Sequence, residues 1–170
     1  MEMGSRDKFA SRGGTTRVRG ASGSDAAAIA AVTNAAFAVE TFLEGLRTDA
    51  RRVLEMMGQG VFLVCVGEDE KVVASVHIEV RSERGYFGML AVDPLYQGKG
   101  LGARLVLAAE DHCRERGCTA MDITVLSLRP ELLPFYHRLG YTETGKEEFH
   151  PSRGMRAGAE CYSILMSKNL

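Results

Sequence analysis

The stretch "YFGMLAVDPLYQGKGLGARLVL", Tyr86 to Leu107, decides how the rest of this 170-residue chain is read. Its apolar opening, Tyr86 to Val92, has the look of a strand, and Asp93-Pro94 ends it because proline cannot donate to a sheet ladder. Gly98, Gly100 and Gly102 then alternate at the start of a run with helical spacing. Backbone bare of side chains at a helix start offers N–H groups and a favourable dipole to an anion, most often a phosphate. The nature of that phosphate depends on what surrounds the glycines.

Upstream, "VFLVCVGEDEKVVASVHIEVRSERG" is strand and turn throughout. "VFLVCV" is continuously apolar, as in a strand covered on both faces. "GEDEK" is a hairpin turn. From Val72 the residues alternate, with Val72, Ala74, Val76, Ile78 and Val80 on one side and Ser75, His77 and Glu79 on the other. "SERG" then turns the chain into the strand Tyr86 to Val92. Nearer the N-terminus, "TTRVRGAS" forms a short first strand. An alanine-rich helix capped by Ser24 or Asp25 runs to about Val39, and "DARRVLEMM" is a second helix ended by Gly58 and Gly60.

Downstream, Gly100 to Arg116 reads as a helix with Leu101, Leu105, Ala108 and His112 on one face. "AMDITVL" is the next strand. "PELLPFYHRL" is a short helix in which Leu132, Tyr136 and Leu139 share a face, and Gly140 stops it. Strands near Tyr141 to Thr144 and Tyr162 to Lys168 close the chain, separated by the loop "FHPSRGMRAGAE". The order βααβββαβαββ predicts an α/β (α+β) fold: a mixed, mostly antiparallel twisted sheet of six to seven strands flanked by about four helices. Residues 1–14 are expected to form a flexible arm, and 15–170 a single domain.

Composition narrows the function classes. The formal net charge is −1 and no large basic block occurs, which argues against nucleic acid and against a membrane surface as partners. No segment resembles a signal peptide or reaches membrane-spanning length. Cys65, Cys113, Cys118 and Cys161 show neither CxxC nor Cys/His spacing, so no metal is expected, and a reducing, cytoplasmic setting fits free thiols.

Three phosphate sites compete for the glycines. A P-loop needs Ser or Thr after its Gly-Lys, and no hydroxyl follows Lys99 here. The dinucleotide fingerprint GxGxxG/A is matched formally by Gly98, Gly100 and Ala103. However, "DPLYQ" separates the glycines from the strand, and the acid that would hold ribose, Asp122, falls at the beginning of the next strand rather than its end. The third site fits motif and context together. "LAVDPLYQGKGLGARL" resembles the acetyl-CoA signature of the GNAT superfamily of N-acetyltransferases, Gln/Arg-x-x-Gly-x-Gly/Ala, with Gln97, Gly100 and Gly102 at its fixed positions. "LPFYHRLGYTETG" is similar to the family's second hallmark, an aromatic-Tyr pair, a short helix and Gly-aromatic.

That resemblance implies a fold, a co-substrate and roles. Acetyl-CoA would be bound, with no metal, at Gln97, Gly98, Lys99, Gly100, Leu101, Gly102 and Ala103, with the successive N–H groups of Gly98 to Ala103 around its pyrophosphate. A side chain at Gly100 or Gly102 is expected to push the phosphates away. The strand before the signature commonly splays from its neighbour in this family, which gives Leu90, Ala91 and Val92 a backbone role toward the pantetheine arm and thioester. Tyr136 matches the tyrosine that often protonates the leaving thiolate. The His or Glu that some members of the family place on the strand before the signature is missing, since those positions read Tyr86, Gly88 and Met89. Glu79 and His77 are the candidate bases, or else solvated face residues. Glu40 and Glu44 either attract an ammonium or are exposed linker acids. Where many relatives carry Asn, seven residues before Tyr136, this chain has Arg129, which could reach a phosphate or stand exposed.

The expected activity is transfer of acetyl from acetyl-CoA to a primary amine, on a small molecule or peptide, by direct attack in a ternary complex. The alternative is a degenerate domain that binds acetyl-CoA as a sensor or interaction module. A homodimer formed through the final strands is compatible with either.

Overall fold

In the computed structural model, which describes residues 15–151 and 153–170, one sheet of seven strands runs in the order β1-β2-β3-β4-β5-β7-β6. The elements are β1 (Arg17–Gly20), α1 (Ala26–Ala36), α2 (Ala50–Met57), β2 (Val61–Val66), β3 (Val72–Arg81), β4 (Arg84–Val92), α3 (Leu101–Arg114), β5 (Ala120–Leu126), α4 (Leu132–Arg138), β6 (Thr142–Glu148) and β7 (Tyr162–Asn169). This is the expected sequence of strands and helices. The arm expected at residues 1–14 lies outside the described residues.

Local chemistry sets the boundaries. Asp49 caps α2 by accepting a hydrogen bond from the Arg52 amide at 2.8 Å. The cap nearest α1 is a tight turn at Gly23–Asp25, where the Asp25 carboxylate accepts from the Ser22 amide and pairs with Arg19. Ser82 and Glu83 alone form the β3–β4 turn, so β4 begins at Arg84, two residues earlier than its apolar run suggests. β6 extends further than its opening residues indicate, to Glu148, and is exposed along its whole length as the outer strand.

Helices cover both faces of the sheet, and each face has its own apolar cluster. α1 and α2 bring Ile29, Ala30 and Val53 against Phe62, Val64 and Val72. α3 and α4 bring Leu105, Val106, Ala109 and Tyr136 against Val76, Ile78, Phe87 and Ile123. This double cover corrects two sequence expectations. On β3, Ser75 and His77 are as buried as Val76 between them, because α1 covers the face that the alternation suggested was wet and the Met56 carbonyl of α2 meets His77. On α3, the buried row is Leu101, Leu105, Ala109 and Cys113 with Val106 beside it; Ala108 and His112 are half-buried at its margin. The row runs at four-residue spacing, so it drifts one residue from the expected face.

The feature that positions the site is the seam between β4 and β5, the sheet's parallel pair. Pairing there covers only Arg84–Tyr86 against Ala120–Asp122. Beyond Tyr86, β4 stays with β3 while β5 stays with β7 along its full length, so the two strands part. Two residues of β4, Met89 and Leu90, oppose the single residue Val76 between the Gly88 and Ala91 pairs, and Met89 has a φ of 53°. Such a bulge bends and twists the strand that carries it. An Arg84 guanidinium holds the closed end, donating to both Asp122 carboxylate oxygens at 2.7 and 2.6 Å and to Ser167 Oγ at 2.8 Å.

Candidate active site

The gap between β4 and β5 opens into a cavity of about 760 Å³, within the range of small-molecule sites. Gly88, Leu90 and Val92 form one wall, and residues 123–126 of β5 the other. The start of α3 closes one end, and Phe135 and Tyr136 of α4 face it. Expected site residues gather here: Leu90, Val92, Gln97, Gly98 and Gly100 line the cavity, as do Leu101, Gly102 and Ala103. Two do not. Ala91 is buried in the core at a position paired with Ser75, and the Lys99 ammonium lies 5.2 Å from the centre of the Tyr96 ring.

The glycine loop has the geometry of an anion cradle. Gly98 and Gly100 have φ of 78° and 79°, which side chains adopt only with strain, and Gly100 is the N-cap of α3. Among the described residues, the amides of Gly98 to Ala103 donate to no protein acceptor; the first bond of the helix is from the Arg104 amide to the Gly100 carbonyl. Gln97 turns its side chain inward and donates to the Val92 carbonyl at 3.1 Å, tying the loop to the end of β4. A Cβ on Gly100 would meet nothing within 4 Å, so what the site requires there is the left-handed backbone. Gly102 differs from expectation. A Cβ there would stand 3.5 Å from Phe135 Cζ and 3.8 Å from Val92 Cγ2, ordinary contacts that alanine could make. These features fit a pyrophosphate held by main-chain donors at the mouth of the gap.

Tyr136 packs against Phe87, Phe135 and Tyr141, and only 7% of it is exposed. Among the described residues its hydroxyl has no hydrogen-bond partner. Burial pushes the phenol well above its usual range, with the Arg129 charge a smaller opposing influence. It therefore stays protonated at any working pH, as a donor facing the cavity.

A second, smaller cavity of about 300 Å³ adjoins the first across Tyr86, Gly88 and Met89. His77 and Glu79 both line it. His77 is not a solvated face residue, being 1% exposed. Its Nε2 lies 2.9 Å from the Met56 carbonyl, which can only accept, so Nε2 carries the hydrogen and a neutral ring leaves Nδ1 as an acceptor. Burial lowers the pKa of this imidazole, outweighing the Met56 hydrogen bond and the Glu79 charge. Nδ1 stands 3.7 Å from Glu79 Oε1, while Glu79 Oε2 accepts two bonds from Arg81 at 2.9 and 2.8 Å. One carboxylate oxygen is thus committed, and the other faces an imidazole lone pair.

A polar centre in the larger cavity joins Glu40 and Arg129, which the sequence singled out separately and did not connect. Glu40 is 4% exposed rather than a linker acid at the surface. Its carboxylate accepts from Arg153 Nη2 at 2.8 Å and Arg129 Nη1 at 3.3 Å, with Arg47 Nη1 at 3.9 Å. Arg129 is accordingly neither exposed nor free, because it also donates to Glu131 at 2.6 Å. Main-chain bonds from the Glu44 amide to the Gly154 carbonyl and from the Arg156 amide to the Phe42 carbonyl clasp the two flanking segments together. Glu44 itself is exposed, with its carboxylate packed against Gly154. These contacts join residues 89 and 113 apart in the chain, which no local pattern could announce.

The dinucleotide alternative finds no support in this geometry. Asp122, its ribose-binding candidate, is held by Arg84 and Ser167 at the closed end of the seam. Among the described residues, no cysteine lines either cavity.

Comparison with known proteins agrees with the motif reading. A profile of the acetyltransferase (GNAT) family matches residues 32–141. Mycothiol acetyltransferase of Propionibacterium freudenreichii is 33% identical over 81 residues, 45% of this chain and 26% of that protein. Glucosamine 6-phosphate N-acetyltransferase 1 of Oryza sativa is 36% identical over 59 residues, 35% of this chain and 34% of that protein. The chain thus spans about a quarter to a third of these relatives. Among solved structures, ribosomal-protein-S18-alanine N-acetyltransferase of Escherichia coli superposes with a TM-score of 0.74 at 18% identity, covering 91% of this chain and 94% of that one. The protein yncA of Salmonella typhimurium, solved with its cofactor acetyl-CoA, superposes with a TM-score of 0.72 at 24% identity, covering 91% and 94%.

Proposed function

The chain belongs to the acetyltransferase (GNAT) family, and from that premise we propose that residues 15–170 form one domain that transfers acetyl from acetyl-CoA to a primary amine by direct attack in a ternary complex. The observation that carries this reading is the run of unpaired amides, Gly98 to Ala103, at the mouth of a gap where β4 has left β5.

Acetyl-CoA supplies an activated acetyl thioester. On this reading, the amides of Gly98 to Ala103 hold its pyrophosphate, aided by the α3 dipole. Main-chain groups along Leu90, Ala91 and Val92 orient the pantetheine arm and thioester, while the Leu90 and Val92 side chains close the wall. Tyr136 Oη donates its hydrogen toward the leaving sulfur. The amine must lose a proton to complete the exchange, and Glu79, which lines the adjoining cavity, takes it on Oε1, directly or through water. The lack of a cavity-lining cysteine supports direct transfer over an acyl-enzyme. Free thiols at Cys65, Cys113, Cys118 and Cys161 suit a cytoplasmic setting, and exposed β6, the outer of the two final strands, offers an edge for a homodimer.

Calorimetry with acetyl-CoA tests the reading, run beside Gly100→Glu and with NAD as competitor. Binding that the variant loses and NAD does not displace is the expected result. No acetyl-CoA binding, or tighter NAD binding, would overturn it. Binding without release of CoA thiol across a broad amine panel would favour the sensor alternative.

A further inference from the structure

The arginines around the two cavities are not equivalent. Arg129 and Arg153 hold the Glu40 carboxylate, Arg81 holds Glu79, and Arg52 lies 3.4 Å from Glu55. Arg47 is the exception. Its closest carboxylate, Glu40, is 3.9 Å away and already engaged twice. Among the described residues its guanidinium donates no hydrogen bond; it rests 5.0 Å from the centre of the Phe37 ring. Three-quarters of the side chain is shielded, with 26% exposed. Arg47 also lines both cavities, at their junction, whereas the glycine loop lines only the larger.

A guanidinium has five donors in a planar fork that matches the two oxygens of a carboxylate or phosphate. Shielding it without an acceptor is costly, and burial does act to lower its pKa. Three guanidinium groups gather around buried Glu40, and Arg129 also pairs with Glu131, so three positive charges face two carboxylates and the centre keeps one positive charge in excess. Resting on the acetyltransferase reading, we propose that Arg47 is an anion site for the acceptor: the amine acetylated here also carries an oxyanion, a carboxylate or a phosphate, that docks at the junction of the two cavities. The site then selects a class of acceptor, since an amine without the oxyanion would leave the shielded fork unpaired.

Matched acceptors test this, with CoA thiol release followed at equal concentrations of neutral amine. One pairing is L-amino acids against their α-carboxamides; the other is O-phosphoethanolamine against ethanolamine. In the wild type, kcat/KM is expected to favour the charged member of one pairing by about 10- to 100-fold, the worth of a hydrogen bond to a charged group. The favoured pairing identifies the oxyanion. Arg47→Met should bring the ratio near one with an unchanged melting temperature, and Arg47→Lys should restore part of it. Indifference to charge in the wild type, the same ratio in Arg47→Met, or no transfer to any member by a protein that binds acetyl-CoA would overturn the proposal. So would a loss of acetyl-CoA affinity in Arg47→Met, which would assign the guanidinium to the co-substrate. Failure of the wild type to bind acetyl-CoA would instead bring down the acetyltransferase reading, and this inference with it.

Discussion

The two halves of β4 have opposite duties. From Arg84 to Tyr86 the strand is hydrogen-bonded on both sides, and the Arg84–Asp122–Ser167 network locks it to β5 and β7. From Phe87 to Val92 it keeps only β3, bulges at Met89 and Leu90, and leaves its other edge to the cavity. An open edge is ordinarily a liability, because unpaired main-chain groups seek partners. Here it lies inside the molecule beside the unpaired amides of the glycine loop, where a ligand can satisfy it. The closed half should therefore matter to stability, and the open half to binding and chemistry.

Substitutions can break that contrast, and the largest effect is expected at the glycine loop. Gly100→Glu forces a left-handed residue and adds a negative charge at the cradle, so acetyl-CoA affinity should fall at least about 100-fold. The fold should lose only the roughly 1–2 kcal/mol of a strained residue. Titration calorimetry and thermal melting read the two effects separately. Tyr136→Phe keeps the aromatic packing and removes the donor, and kcat should fall about 100-fold with acetyl-CoA affinity little changed. An unaltered kcat would remove Tyr136 from the chemistry. Glu79→Gln should lower kcat about 10-fold or more and weaken its dependence on pH; an unchanged profile would exclude it as the base.

The closed end should respond in the other way. Asp122→Asn removes the negative charge of a largely exposed ion pair, so the melting temperature should drop by at most about 2–4 °C, with kcat and acetyl-CoA affinity unchanged. A large loss of activity there would show that the two halves are not independent. A smaller effect comes from His77. Burial lowers its folded pKa below the ordinary 6.5, so between those values the unfolded chain binds more protons than the folded one. Its contribution is fully present above about pH 6.5 and is lost as pH falls toward the folded value. Melting temperature should decline in that range, and His77→Phe should flatten part of the decline. Half-buried His112, shifted the same way, accounts for another part.

How much of this was legible in the sequence depended on range. The strand ended by Asp93-Pro94, the alternating glycines and the Tyr136 motif are local signals, and they located one wall and one end of the cavity. Burial of Ser75 and His77 was not legible, because alternation describes a strand and not what covers it. The Glu40 centre was hidden for a related reason. Its arginines come from segments with no periodicity, and Leu43 meets Met155 only once the sheet has formed. Parting of β4 from β5 left no mark in either strand's own residues, and the family resemblance alone suggested it.

The most direct test of the divided strand is a backbone amide spectrum of the protein with and without acetyl-CoA. Large shifts confined to Phe87–Val92, Gly98–Ala103 and Tyr136, with Arg84–Tyr86 and Ala120–Asp122 unmoved, are the predicted result. Shifts of equal size along all of β4, or a response centred away from the gap, would contradict it.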